Sequence, residues 1–166
     1  VIITPRSFGS VNDEPIKLLE QNGCEVVRLR GDSETIARGL NKEIADADAI
    51  IAGLDDYDEA LLSKAKKLKV ISRYGVGYNN VDLDVAKKQD ITVTITPGAN
   101  DDSVADLTMA LMLVAARHVS FSDRLLRSKE EKRPVGMEMW EKTLGVIGTG
   151  RIGKGVIKRA QGFNMD

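Results

Sequence analysis

Short apolar segments alternate with amphipathic segments through the first hundred residues, and this alternation constrains the fold more than any other feature. The apolar segments are rich in Val and Ile and mostly lack a strict polar–apolar alternation, as parallel strands buried on both faces do. They cover residues 1–4, 25–30, 49–53, 69–73 and 91–96. The pattern predicts a doubly wound α/β unit with a five-stranded parallel sheet over residues 1–97.

Helix boundaries in this unit are marked by residues that stop or cap helices. The predicted helices cover residues 13–22, 33–45, 58–68 and 83–89. Gly23 follows the first helix, where a left-handed residue closes a helix. Asp58 and Asp82 precede the third and fourth, where a side-chain oxygen accepts a hydrogen bond from a free amide.

Charge and cysteine content exclude several classes of protein. The chain has 24 basic and 25 acidic residues and a net charge of −1, so it lacks the basic excess of a nucleic-acid binder. The one basic run, at 64–69, is interpreted as the solvated end of the third helix. Cys24 stands alone, which excludes an internal disulfide and a thiolate metal cluster. With no apolar run of about 18 residues, we expect a cytoplasmic protein with no membrane partner.

A turn at residues 97–100 separates this unit from a second one, predicted to cover residues 98–166. Ser103 and Asp106 resemble a capping box at the start of a long helix, 103–117. The apolar stripe expected on this helix is Val104, Leu107, Leu111, Val114 and Ala115. A charged helix, 121–132, and a strand, 143–147, are expected to follow.

The predicted strand at 143–147 leads into a glycine-rich turn with the pattern G-x-G-x-x-G. Gly148 permits a tight turn, Gly150 lets backbone amides approach a diphosphate, and Gly153 allows close packing of helix on strand. A helix-compatible run, 152–161, follows and adds the positive end of its dipole. Strand, turn and helix together favour dinucleotide binding over a plain turn.

The acidic residue that would bind the ribose hydroxyls is not identified. Asp166 lies 18 residues after Gly148, close to the expected spacing of about 20. Only three residues separate it from Gly162, where the helix is expected to stop, and these are too few for a turn and a strand. We expect the acid to lie beyond Asp166, so the choice between NAD and NADP stays open.

A second glycine-containing segment, Gly75-Val76-Gly77, follows the fourth predicted strand. Consecutive glycines at the carboxyl end of a parallel strand can direct several amides at an anion such as a carboxylate, and Arg73 could add a bidentate contact. The alternative is a tight turn that leads into the helix capped by Asp82, with Arg73 in a surface ion pair.

Four ordered motifs resemble those of the D-2-hydroxyacid dehydrogenases, most closely the phosphoglycerate dehydrogenase-like members that serve serine biosynthesis. They are residues 73–82, 96–100, 103–106 and 144–153. The resemblance implies a flavodoxin-like substrate domain at 1–97, followed by the start of a Rossmann NAD-binding domain at 98–166. It also implies an NAD-dependent oxidoreductase acting on a 3-phosphoglycerate-like D-2-hydroxyacid, and a homodimer formed through the NAD domain by residues 103–132.

The two glycine motifs and the resemblance together give the candidate site residues. The substrate would contact Arg73, Gly75, Val76, Gly77 and Asn100. The cofactor NAD would contact Val76, Gly148, Gly150, Arg151, Ile152 and Gly153. The family's catalytic Arg, Glu and His are expected beyond residue 166, and we expect the 166-residue chain alone to be inactive and to bind NAD poorly.

Two residues depart from what a phosphorylated substrate requires. Asp55 and Asp56 stand where phosphoglycerate dehydrogenases of the commonest type carry a basic or hydroxyl-bearing loop, so they would repel such a substrate if they faced it.

His118, the only histidine, is interpreted as the end of the long helix and not as a catalytic base. Other hypotheses are an NAD-sensing corepressor-like protein, a non-catalytic interaction module, and a different Rossmann enzyme such as an alanine dehydrogenase.

Overall fold

The computed structural model describes residues 1–166, which form two compact units, Val1–Ala99 and Asn100–Asp166. The first unit contains the predicted five-stranded parallel sheet, with the strand order β2-β1-β3-β4-β5. The strands are β1 (Ile2–Ile3), β2 (Val27–Arg28), β3 (Ala49–Ala52), β4 (Val70–Arg73) and β5 (Thr92–Thr94). This is the flavodoxin-like order, so the predicted fold of the first unit is confirmed.

The core of the first unit lies on the central strands. Ile50 pairs in register with Ile2 on one side and with Ile71 on the other. Ile50 and Ile71 are fully buried, and each such side chain contributes about 2 kcal/mol through removal of apolar surface from water. Leu40 and Leu62 from neighbouring helices complete this cluster. The Val- and Ile-rich strands are therefore covered by helices, as a parallel sheet requires.

Four helices accompany the sheet, and their caps agree with the sequence analysis. The helices are α1 (Glu14–Gln21), α2 (Ser33–Glu43), α3 (Glu59–Leu62) and α4 (Leu83–Lys88), with a 3₁₀ turn at Ile44–Asp46. Asp58 accepts from the Leu61 amide at 2.8 Å, and Asp82 accepts from the Val85 amide at 3.0 Å. Gly23 follows α1 with φ +78°. The predicted caps at Asp58 and Asp82 and the left-handed stop at Gly23 are confirmed.

The third helix is shorter than predicted, because it ends at Leu62 instead of residue 68. The basic run that follows contains no regular helix. Its lysines contact the preceding α2–β3 segment instead, with Lys67 2.6 Å from Asp46 and Lys69 3.3 Å from Asp48. These pairs are exposed, and Asp46 raises the pKa of Lys67 through a hydrogen bond and its charge. The run is a solvated surface, although it is not the end of a helix.

The second unit contains three helices, and α5 and α7 pack against each other. The helices are α5 (Asp101–Ala116), α6 (Val119–Arg127) and α7 (Arg151–Ala160), followed by a 3₁₀ turn at Gln161–Phe163. Their small shared core contains Ala105, Met109, Met139, Val156 and Ala160. No single helix is both long and apolar enough to cross a membrane; α5 and α6, bent by 60° at their junction, reach that length and composition only when taken together.

Two predictions about α5 are wrong. The helix begins at Asp101, with Asn100 at the cap position, so Ser103 lies inside the first turn and caps nothing. The buried face carries Ala105 and Met109, whereas Leu107 and Leu111 of the predicted stripe are each 58% exposed. Because this helix is apolar on nearly every side, spacing alone could not distinguish the covered face from the open one.

The strand predicted at 143–147 is not formed in this unit. Pairing is limited to its first residues: the Leu144 amide donates to the Asp166 carbonyl at 2.7 Å, and the Asp166 amide donates to the Lys142 carbonyl at 3.2 Å. Residues 145–147 have no strand beside them, and the Ile147 side chain is fully exposed. A β-strand requires a ladder of several such hydrogen-bonded backbone pairs, so this single pair does not form a strand.

Candidate functional site

The loops that follow β3 and β4 lie together at the carboxyl edge of the sheet, because these strands are neighbours. We call residues 53–58 the acidic loop and residues 74–80 the glycine loop. In open α/β sheets this edge is where ligands bind, so these two loops form the first candidate site.

Backbone amides of the glycine loop are free to bind an anion. The Tyr74 amide donates to the Ala52 carbonyl at 3.0 Å, and the Gly75 amide donates to the Arg73 carbonyl at 2.8 Å. From Val76 to Asn80 no amide donates to a backbone carbonyl of the chain. The predicted donor at Gly75 is therefore already used, whereas those of Val76 and Gly77 remain available to an acceptor.

Gly75 contributes the shape of the loop. Its φ of +156° lies outside the range that side chains tolerate well, and an added Cβ would lie 2.9 Å from Nη1 of Arg73. The positive φ is therefore the main reason for glycine here, since Nη1 is the end of a flexible side chain.

Arg73 lies beneath the glycine loop and is only 6% exposed. Its Nη1 donates to the Tyr74 carbonyl at 2.8 Å and to the Ala52 carbonyl at 3.4 Å, while its Nε is buried without any partner. It forms no salt bridge within 4.0 Å, so the alternative that placed it in a surface ion pair is wrong. A buried guanidinium without a carboxylate partner leaves a positive charge that an anion can compensate.

A buried tyrosine supports the same edge. The Tyr57 hydroxyl lies 3.2 Å from Oγ1 of Thr4, which accepts from the Gly53 amide at 2.7 Å. Burial raises the pKa of the Tyr57 phenol above its ordinary value, and the charge of Asp55 adds to this shift while Thr4 and Arg73 oppose it. Tyr57 therefore remains neutral and acts as part of the floor beneath the acidic loop.

Two aromatic rings pack at the start of the glycine loop. Phe8 meets Tyr74 edge to face, with ring centroids 5.5 Å apart. Tyr74 thus anchors the start of the loop, whereas the Tyr78 side chain is 44% exposed. Val76 is 36% exposed.

The second candidate site, in the second unit, is the glycine turn at 148–153. Gly148 has φ +90°, and Gly150 occupies the cap position of α7 in an extended conformation. A Cβ at Gly153 would overlap the Gly148 carbonyl oxygen, so glycine is required there. The first helical hydrogen bond runs from Lys154 to Gly150, which leaves the amides of residues 151–153 without helical acceptors. These amides fit a diphosphate group, and the helix dipole favours its charge.

Arg151 and Ile152 begin α7 with largely accessible side chains. Nε of Arg151 lies 4.0 Å from a carboxylate oxygen of Asp101, and Ile152 is 38% exposed. At the other end of the helix, Arg159 donates to Asp102 at 3.1 Å and also pairs with Asp106. These carboxylates raise the pKa of Arg159, and the pairs hold α7 against the first turns of α5.

The two remaining residues considered in the sequence analysis are Asn100 and Asp166. Asn100 is exposed at the cap position of α5 and makes no side-chain cap hydrogen bond. Asp166 pairs opposite Thr143, at the amino end of the segment that leads to the glycine turn. Five residues of extended chain, about 16 Å, separate Thr143 from Gly148, so Asp166 is far from the turn.

Three residues that shape the first site were missed by the sequence analysis: Thr4, Tyr57 and Asn80. Each lies just after a strand or in the loops that join strand to helix. No local pattern marked Thr4 and Asn80, because their hydrogen-bond partners lie 25 to 53 residues away in the chain.

Comparison with known proteins supplies the family. The sequence profile described as "D-isomer specific 2-hydroxyacid dehydrogenase, catalytic domain" matches residues 2–161, nearly the whole chain. The chain belongs to this family.

The relatives have more than one activity. A glyoxylate reductase of Pyrococcus horikoshii is 40% identical, with 90% of this chain and 48% of the reductase covered. A D-3-phosphoglycerate dehydrogenase of Methanocaldococcus jannaschii is 42% identical, with 94% of this chain and 30% of the dehydrogenase covered. The resemblance to the family is confirmed, but a phosphoglycerate dehydrogenase-like member is not singled out.

A solved structure gives the same fold. The NAD⁺-bound 3-phosphoglycerate dehydrogenase of Entamoeba histolytica is 32% identical and superposes with a TM-score of 0.78, covering 99% of this chain and 51% of that one. The chain spans about half the length of most relatives that it matches, and less of some.

Proposed function

We propose that the full-length protein transfers a hydride between NAD and a small D-2-hydroxyacid. The observation that carries this proposal is the buried, uncompensated guanidinium of Arg73 beneath the unpaired amides of the glycine loop. A substrate carboxylate bound there would accept hydrogen bonds from the amides of Val76 and Gly77 and would neutralise the buried charge. Gly75 shapes the loop for this contact, and Asn100 is the remaining substrate-contact residue that the family implies.

The glycine turn supports the choice of NAD as cofactor. The amides of Arg151, Ile152 and Gly153 would hold its diphosphate, with Gly148 and Gly150 shaping the turn. In this proposal residues 98–166 begin the NAD-binding domain, and Val76 contacts the nicotinamide side. Bound NAD supplies a nicotinamide ring that accepts the hydride from C2 of the hydroxyacid. The residues of this chain bind and orient the two reactants, and the family's catalytic Arg, Glu and His would come from the remainder of the protein.

The charges of the acidic loop favour a substrate without a phosphate group. Asp55 lies near enough to Tyr57 for its charge to raise the pKa of that phenol, and Asp56 is exposed beside it. Two carboxylates would repel a phosphorylated substituent. Glyoxylate is therefore our first candidate, and 3-phosphoglycerate is the second because a D-3-phosphoglycerate dehydrogenase is among the relatives at 42% identity.

We also propose that the full-length protein forms a homodimer through the helices between residues 103 and 132. Leu107 and Leu111 of α5 are exposed together, and Phe121 and Leu126 of α6 are 43% and 76% exposed. Apolar side chains exposed at this density are typical of surfaces that bind a partner.

Steady-state kinetics of the full-length protein test the activity. We expect NADH oxidation with glyoxylate at a kcat/KM at least about tenfold above that with the 2-oxoacid derived from 3-phosphoglycerate, since one charge repulsion of about 1.4 kcal/mol gives that ratio. No turnover with either acid would contradict the proposal, and a reversed ratio would overturn the substrate preference.

Two arginine variants test the site itself. Arg73→Met should raise KM for the acid by about tenfold or more, because a charged hydrogen-bonding group is lost. Arg38→Met, on the exposed face of α2, removes the same charge elsewhere and should change KM less than twofold. Equal effects of the two variants would show that only overall charge matters.

A further inference from the structure

A single side chain, Asn80, joins the acidic loop to the glycine loop. Nδ2 of Asn80 donates to the Asp55 carbonyl at 2.6 Å and to the Gly53 carbonyl at 3.2 Å. An amide nitrogen carries two hydrogens, so both of its donors are used between the loops. No other side chain of the glycine loop hydrogen-bonds to the acidic loop.

The backbone continues the same connection. The Tyr57 amide donates to the Asn80 carbonyl at 2.8 Å, and the Asp82 amide donates to the Tyr57 carbonyl at 3.0 Å. These two bonds form a parallel bridge between Tyr57 and Val81. The acidic loop is thus bound at both ends to the segment that closes the glycine loop.

The acidic loop is also fixed from below. Oγ1 of Thr4 accepts from the Gly53 amide at 2.7 Å, and the Tyr57 side chain is fully buried beneath. Residues 54–56 lie between these attachments. The carbonyl groups of Gly53 and Asp55 have Asn80 as their hydrogen-bond partner.

We propose that Asn80 is a positioning residue that holds the two loops as one body and thereby sets the affinity for the substrate acid. This inference rests on the proposed function. If Asn80 cannot donate, two carbonyl groups lose their partners and the loops sample arrangements in which the amides of Val76 and Gly77 are not aligned for a carboxylate. The apparent affinity falls in proportion to the fraction of molecules whose loops are aligned. A molecule that has bound the acid still reacts at the normal rate.

Three variants of the full-length protein test this. Asn80→Asp keeps the shape but replaces the donors with a carboxylate, and Asn80→Ala removes the donors without adding charge. Gln89→Glu is the control for the amide-to-carboxylate change, because Gln89 is exposed at the end of α4, makes no side-chain hydrogen bond and lies outside the two loops. We expect both Asn80 variants to raise KM for glyoxylate about tenfold with kcat changed less than twofold, and Gln89→Glu to leave both within twofold.

Hydrogen–deuterium exchange provides a readout that does not depend on turnover. The amides of residues 53–57 should exchange faster in both Asn80 variants than in the parent and in Gln89→Glu, with unchanged exchange in β3 and β4. Faster exchange throughout the sheet would indicate general unfolding and would contradict a local positioning role.

The outcomes separate this inference from the proposed function. If the parent protein turns over no 2-oxoacid, the proposed function fails, and the exchange experiment still decides whether Asn80 joins the loops. If the parent is active and folded Asn80 variants keep the parental KM, the inference fails alone. An effect of Asn80→Asp without one of Asn80→Ala would assign the change to the new charge and would also overturn it.

Discussion

Tyr57 and Arg73 show how buried polar groups can be arranged around a binding edge. Tyr57 is fully buried and keeps its proton, with Thr4 as its hydrogen-bond partner. Arg73 keeps its charge and satisfies part of its hydrogen-bonding capacity with carbonyl groups alone. The buried Nε of Arg73 has no hydrogen-bond partner, which is unfavourable for the stability of the folded protein. An anion bound at the glycine loop would reduce this loss of stability.

The raised pKa of Tyr57 predicts a loss of stability at alkaline pH. Because the pKa of this phenol is higher in the folded state than its ordinary value of 10.0, the unfolded chain loses this proton first as the pH rises. The stability that depends on neutral Tyr57 is therefore present below about pH 10 and falls above it. Thermal unfolding of the full-length protein at pH 9 and pH 11 should show a larger decrease in Tm for the parent than for Tyr57→Phe. Equal decreases would rule out this contribution.

Single residues were predictable where their role is local. Arg73 was identified because it ends a strand beside glycines, and Asp58 and Asp82 because caps act within three residues. Asn80 and Thr4 were not, since their partners lie 25 to 53 residues away in the chain. Only the strand order brings such residues together, and no local pattern specifies it.

Helices and turns differ in how strongly their sequences define them. The glycine turn and α7 follow from a motif in which Gly148 has a positive φ and Gly153 has no room for a Cβ. By contrast, α3 ended earlier than predicted, and α5 exposes Leu107 and Leu111 of its predicted apolar stripe because this helix is apolar on nearly every side. A motif that encodes a steric constraint therefore predicts an element better than apolar spacing does.

Substitution of Gly153 tests whether the glycine turn binds the cofactor. Gly153→Ala should weaken NAD binding by the full-length protein about tenfold, because its Cβ would overlap the Gly148 carbonyl oxygen and displace the turn. Gly162→Ala is the control, since no atom lies within 4 Å of the added Cβ. Calorimetric titration with NAD measures both. An unchanged affinity in Gly153→Ala would show that the turn does not hold the cofactor.

The two units of the chain differ in how completely each buries its apolar surface. The first unit covers its sheet with helices and has one continuous core. The second buries only a small cluster and leaves Leu107, Leu111 and Leu126 exposed. The alternation of strands and helices predicted the first architecture well, because a parallel sheet permits few arrangements. It could not predict which surfaces of the second unit remain open.

Light scattering of the full-length protein tests the proposed dimer. We expect the mass of a dimer for the parent and of a monomer for Leu107→Glu or Leu111→Glu, because a charge placed in an apolar interface is left without a partner. Leu18→Glu, at an exposed leucine of α1, should leave the dimer intact. A monomeric parent, or a dimer that tolerates both changes in α5, would contradict the assignment.

The unpaired amides of Val76 and Gly77 belong to the main chain, and every residue except proline carries such a group. Replacing a neighbouring side chain cannot delete them. If these amides hold the substrate acid as we propose, then replacing Leu54, Asp55 or Asp56 can change which acid is preferred without removing the groups that bind its carboxylate.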